Sequence, residues 1–198
     1  AVDFAGLLAA LEADFVGHDR LLAEIRHGVP RFGQDDPLPR ALAERVQEFV
    51  QTRFRAHRNY RGGKYLPGYW SMSNHVAFGV LSGALPSGRR RGQPFTPGLT
   101  PSPLSGAPLT DQIHTVGTLD PLRMPNNLAF NVKVVPGAHD PHGALVDRLT
   151  AYTAAYCELG GMQIQYNVVS SATLRAAMAD PEPYRDLLVR ISGYNAYF

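Results

Sequence analysis

Glycine and proline crowd the middle of this 198-residue chain, from about residue 61 to 108, and that crowding limits what the chain can fold into. A single long regular element is excluded there. Phe95-Thr96-Pro97-Gly98-Leu99-Thr100-Pro101-Ser102-Pro103 holds three prolines, each fixing φ and removing a backbone donor. Pro86-Ser87-Gly88 and Gly92 read as turns. The chain therefore divides into periodic segments on either side of a long irregular one.

On the N-terminal side, residues 4–27 read as a helix. Phe4, Leu7, Leu8, Leu11, Phe15, Leu22 and Ile25 fall mostly at spacings of three and four, with Asp3 as N-cap, Gly28 and Pro30 as the stop, and Gly17 as a point of interruption. A second helix is expected over about 38–58, with Leu42, Val46, Phe49, Val50 and Phe54 on one face and Arg61-Gly62-Gly63 breaking it. The aromatic and β-branched content of 65–80 predicts a strand over Tyr69–Phe78. A further strand is expected over Asn127–Val135, stopped by Pro136-Gly137. A third helix spans about 142–159 with Leu145, Leu149, Tyr152, Tyr156 and Leu159 on one stripe, and Gly160-Gly161 ends it. Met162–Val168 alternates like a strand, Ser171 caps a short helix to Met178, and Asp180-Pro181-Glu182-Pro183 opens another to about Val189. Repeats and low-complexity tracts are not visible, and the mixture reads as an α/β fold.

Composition narrows the function classes. The chain is 44% hydrophobic and 18% charged, with net charge +2 and a pI of about 8.8. That balance argues against nucleic acid and against a membrane surface as partners. Arg89-Arg90-Arg91 is expected to be a solvated turn rather than a phosphate site. The one cysteine, Cys157, excludes an internal disulfide framework and fits a reducing cytoplasm. The N-terminus shows no basic region followed by an apolar core, and no apolar run approaches a membrane span. A cytoplasmic location is expected.

Near the C-terminus stands Arg190-Ile191-Ser192-Gly193-Tyr194-Asn195-Ala196. A glycine between Ser and Tyr is ordinarily a plain turn. It is also the one residue type suited to a backbone radical. Such a radical is stabilised by delocalisation into both flanking peptide groups, which requires a planar Cα that a Cβ would crowd. Some thirty residues upstream lies Gly160-Gly161-Met162-Gln163-Ile164-Gln165-Tyr166-Asn167. The middle of the chain adds Arg61-Gly62-Gly63-Lys64-Tyr65, Asn74-His75-Val76-Ala77-Phe78-Gly79, Gly83-Ala84-Leu85-Pro86-Ser87-Gly88-Arg89 and Gly92-Gln93-Pro94-Phe95.

In this order the blocks resemble the C-terminal portion of the glycyl radical enzymes, the pyruvate formate-lyase-like superfamily, including its pattern G-A-x-P-x-G-R-x-x-G-x-P. The resemblance covers about residues 29–198, with Ile191 standing where Val is usual in the family and Arg89 at a position that the resemblance implies is structural. It implies part of a ten-stranded α/β barrel over 1–136 and a glycyl radical domain over 137–198. It makes Gly193 the catalytic residue, with Arg190, Ser192 and Tyr194 supporting its loop and Tyr197 packing there. It implies no bound cofactor and no metal on this chain. An S-adenosylmethionine-dependent iron–sulfur activase would install the radical under anaerobic conditions, and oxygen would destroy it.

The family's thiyl-forming cysteine, close to a glutamate on an inward loop, has no counterpart here. Cys157 sits on a predicted helix and is expected to be a small buried side chain. The chain stops at Phe198, where the family normally continues. The expected partners are therefore a larger cysteine-bearing subunit, or the remainder of the enzyme, in a hetero-oligomer, together with a small-molecule substrate. The alternative is a spare-part protein that restores the radical glycine of a damaged enzyme; a radical-free binding module is a further one. His75 on the expected strand is a candidate acid or base, and Trp70 and Asn74 are candidates to line the active site. Core packing is the rival reading for Trp70.

Overall fold

The first expected helix is two. Asp3 caps α1 (Phe4–Glu12), its Oδ1 accepting from the Gly6 amide at 2.7 Å. Asp14 and Phe15 then take left-handed φ of 51° and 60°, Gly17 follows at 76°, and α2 runs Asp19–His27. The strain at two non-glycine residues is offset by burial: the turn drives Phe15 to zero exposure against Ala10 and Leu22. The computed structural model describes residues 2–71, 73–135, 141–185, 187–191 and 194–197.

α3 (Pro37–Arg55) starts on the Asp36 cap, with proline at its first position. Its inward face is not the expected stripe. Gln47 is 3% exposed and donates to the Asp120 carbonyl at 2.7 Å, and Gln51 donates to the Leu122 carbonyl at 2.9 Å. Leu42, Val46, Phe49 and Phe54 stay exposed.

The strand expected over Tyr69–Phe78 is overturned. Among the described residues of that span Tyr69 alone makes a bridge, beside Leu128: its amide donates to the Asn127 carbonyl at 2.8 Å, and its carbonyl accepts from the Ala129 amide at 3.2 Å. Asn74–Leu81 is a helix, α4. Tertiary contacts override the β-branched composition. Gly79 lies so close to the backbone of Gln93, Pro94 and Phe95 that a Cβ would collide with it. The Arg89 guanidinium donates to the carbonyls of Gly79 and Gly83 at the C-terminal end of α4, where a cation suits the helix dipole.

α5 (Leu109–Gly117) follows the proline-rich segment, and its Ile113 and Val116 enter the main core. β1 (Phe130–Val134) and β2 (Ile164–Val168) pair in parallel, Phe130 opposite Ile164 and Asn131 opposite Gln165, with α6 (His142–Glu158) between them in sequence. α6 packs on α5, and Tyr156 meets the Phe130 ring at 5.5 Å. Met124, Leu128 and Val132 complete the core. Gly160 takes φ +106°, and a Cβ on Gly161 would strike the Tyr156 ring, so both glycines are needed to turn α6 into β2.

α7 (Ser171–Ala179) is capped by Ser170 rather than Ser171; Ser170 Oγ accepts from the Thr173 amide at 3.0 Å. The helix expected from 180 to 189 is also overturned. Glu182–Tyr184 makes one 3-10 turn, and the β-branched run then forms β3 (Leu188–Ile191), antiparallel to β4 (Tyr194–Tyr197). The described residues thus hold two two-stranded sheets among helices.

Candidate functional site

β3 and β4 frame the candidate radical residue. Arg190 pairs with Asn195, and Ile191 pairs with Tyr194. Ser192 and Gly193 come between them in sequence and lie outside the described residues. The hairpin's first strand lies beside β2.

The β1–β2 pair has two unlike faces, because successive side chains alternate across a strand. Phe130 and Val132, with Ile164 and Tyr166, join the core. On that side the Tyr166 hydroxyl lies 3.2 Å from Thr153 Oγ1, which itself donates to the Leu149 carbonyl at 2.7 Å. Burial pushes the Tyr156 phenol well above its usual range, so it stays neutral. The opposite face carries Asn131 and Lys133 beside Gln165 and Asn167. Asn131 and Gln165 are each 8% exposed. The Asn131 backbone N–H donates to Thr100 Oγ1 at 2.9 Å, and Lys133 Nζ donates to Ser171 Oγ at 3.3 Å.

The residues proposed to line an active site fall at the start of α4. His75 is buried, with Nδ1 3.5 Å from Ser71 Oγ, and its carbonyl accepts from the Phe95 amide at 3.1 Å. Asn74 and Trp70 are exposed. The inward histidine comes from a helix, not from the strand expected. Cys157 is exposed, contrary to its expected burial. Tyr156 takes the core-facing position on α6, and the next residue, about 100° further round the helix, turns away. Arg89 is 6% exposed and structural rather than solvated. Arg90 Nη1 donates to the Asp14 carbonyl at 3.2 Å, and the Arg91 amide donates to Asp14 Oδ1 at 2.6 Å. The buried amides Asn131 and Gln165 received no role from the sequence. The available signal was the polar residue at alternate positions of two apolar strands.

Comparison with known proteins completes the description. The family model described as Glycine radical matches residues 95–198, and the one described as Pyruvate formate lyase-like matches residues 1–79. The (2S)-3-sulfopropanediol dehydratase of Klebsiella oxytoca is 30% identical over 98% of this chain and 24% of its own length. The probable dehydratase YbiW of Escherichia coli strain K12 is 32% identical over 97% of this chain and 25% of its own. Among solved structures, the glycerol-bound B12-independent glycerol dehydratase of Clostridium butyricum superposes with a TM-score of 0.90 at 32% identity, covering 99% of this chain and 25% of that one. Hydroxyproline dehydratase of Clostridioides difficile, with trans-4-hydroxy-L-proline bound, gives 0.91 at 26% identity, covering 99% and 25%. The chain spans about a quarter of the length of these relatives.

Proposed function

The chain belongs to the glycyl radical enzymes, and on that footing we propose that it stores a backbone radical on Gly193 for a radical dehydratase or lyase whose remainder supplies the thiyl-forming cysteine. The observation that carries this reading is the glycine-radical match over residues 95–198, which takes in Arg190–Ala196 and its single glycine. The ladder partners Ile191 and Tyr194, one residue before and one after Ser192-Gly193, support it.

The chemistry is hydrogen-atom transfer. A separate S-adenosylmethionine-dependent iron–sulfur activase removes the Cα hydrogen of Gly193. The cysteine of the remaining enzyme then gives its S–H hydrogen to that Cα and becomes a thiyl radical. The thiyl takes a hydrogen from the substrate and starts the bond cleavage. Near contact is needed at each transfer, and exclusion of water and oxygen protects the stored radical. Trp70, Asn74 and His75 face the substrate side in this reading, and Arg190, Ser192 and Tyr194 hold the glycyl loop. The division into a barrel part, 1–136, and a radical part, 137–198, belongs to the same proposal, as do the cytoplasmic location and the hetero-oligomer. The names of the relatives favour a small hydroxylated or sulfonated substrate and, first of all, dehydration. The pyruvate formate lyase-like match over 1–79 favours this reading over a spare part that carries the radical domain and little else.

Two variants test it, activated anaerobically in the assembled enzyme. Gly193→Ala abolishes the radical signal in electron paramagnetic resonance and abolishes turnover, while the fold remains. Cys157→Ser keeps most of the turnover, because an exposed helix position is not assigned to hydrogen transfer. Loss of turnover in Cys157→Ser, with the glycyl radical present and the protein folded, means that this chain carries its own thiyl residue.

A further inference from the structure

We infer that the buried carboxamides of Asn131 and Gln165 are positioning residues that seat the β3–β4 hairpin on the β1–β2 pair, and so fix the place of the stored radical. The inference rests on the assignment of that radical to Gly193. The parallel register puts Asn131 opposite Gln165, which sets both side chains on the same face. That face is turned away from the apolar core formed by Phe130, Val132 and Tyr166. Its outer members, Lys133 and Asn167, are less buried, yet Asn131 and Gln165 are each only 8% exposed. A pure packing role does not call for amides there. Buried carboxamides are retained where they hydrogen-bond, and none of Asn131, Gln165 and Asn167 is free. β2, which carries Gln165 and Asn167, is also the strand that touches β3. β3 ends at Ile191, directly before Ser192 and Gly193. Gln165 therefore stands on the strand that touches β3, with Asn131 beside it on β1.

A hairpin that leaves its seat exposes the radical, so the lifetime of the radical measures the seated population. The test uses the assembled, activated enzyme, with Asn131→Leu and Gln165→Leu followed by electron paramagnetic resonance under argon. Gln165→Glu, nearly isosteric, serves if the leucine variants do not fold. Tyr166→Phe is the control: it removes the bond to Thr153 on the opposite face. The expected result is a lifetime shortened about tenfold in the amide variants, the ratio that a lost hydrogen bond of about 1.4 kcal/mol corresponds to. The control keeps the unmodified lifetime despite a comparable loss in Tm. Equal lifetimes in the amide variants and the unmodified enzyme overturn the inference, and so does a control that shortens the lifetime as much as they do. Absence of any glycyl radical in the unmodified enzyme is a separate outcome: it overturns the assignment of the radical to Gly193, and this inference with it.

Discussion

Arg89 holds three chain segments together with one planar group. Its Nε donates to the Gln93 carbonyl at 2.8 Å, Nη2 to the same oxygen at 2.5 Å and to Gly79, and Nη1 to Gly83 at 2.7 Å. The guanidinium carbon stands 4.3 Å from the centre of the Phe95 ring. Lysine has the charge but neither the fork nor the stacking plane. Arg89→Lys is expected to destabilise by about 3 kcal/mol, since buried carbonyls lose charged donors. Chemical unfolding of the assembled protein measures it, and a change within error would mean that the loop holds itself. Residue roles were unevenly legible in the sequence. Gly193 is singled out by its neighbours because the chemistry restricts the residue type, and its role stays a proposal, since it lies outside the described residues. Arg89 is structural, as the family resemblance implies; Cys157 is misread as buried, because its exposure depends on a helix phase that only the folded chain sets.

Elements read well where one periodicity ran alone. α6 and α7 follow the expected spans closely, and β1 and β2 fall inside theirs but are shorter. Elements read poorly where a distant contact decided. α4 has a strand-like sequence, but Gly79 docks on Gln93–Phe95 and Arg89 holds its end. The α1–α2 break needs the buried Phe15 turn, and α5 was hidden among prolines although Leu109, Ile113 and Val116 have helical spacing. The turn from α6 into β2 gives an element-scale prediction. Gly160→Ala and Gly161→Ala should each cost about 1–3 kcal/mol, for different reasons. At Gly160 the cause is φ +106°, which no neighbour relieves; at Gly161 it is the Tyr156 ring. In a Tyr156→Leu background the cost of Gly161→Ala should therefore fall while that of Gly160→Ala persists. A double-mutant cycle by thermal unfolding reads the difference. Equal coupling of both glycines to Tyr156 would show that the ring is not the obstacle.

At the scale of the whole molecule, much apolar surface lies open on two helices. α3 shows Leu42, Val46, Phe49 and Phe54 at 47–60% exposure, and α4 adds Phe78, Val80 and Leu81 at 59–83%. Beside α3 an apolar groove of ≈ 360 Å³ is lined by Phe32, Leu42, Val46, Tyr69, Leu99 and Met124. Contiguous apolar surface of this kind marks an interaction site or an aggregation hazard. The relatives carry roughly three times as much further chain, and on the proposed function that chain covers these faces. The chain alone should then self-associate and bind an apolar dye. Expressed with the cysteine-bearing remainder of the enzyme, it should run as one defined complex. Val46→Glu with Phe49→Glu separates exposure from misfolding. The pair lies on the outer face of α3, while Gln47 and Gln51 keep their bonds to Asp120 and Leu122. Sedimentation velocity should show less self-association of the isolated double variant and weaker assembly with the remainder. A monodisperse, unmodified chain that unfolds cooperatively on its own and turns over substrate without the remainder would defeat this argument, because it would leave the exposed faces with nothing to cover them and no need for cover.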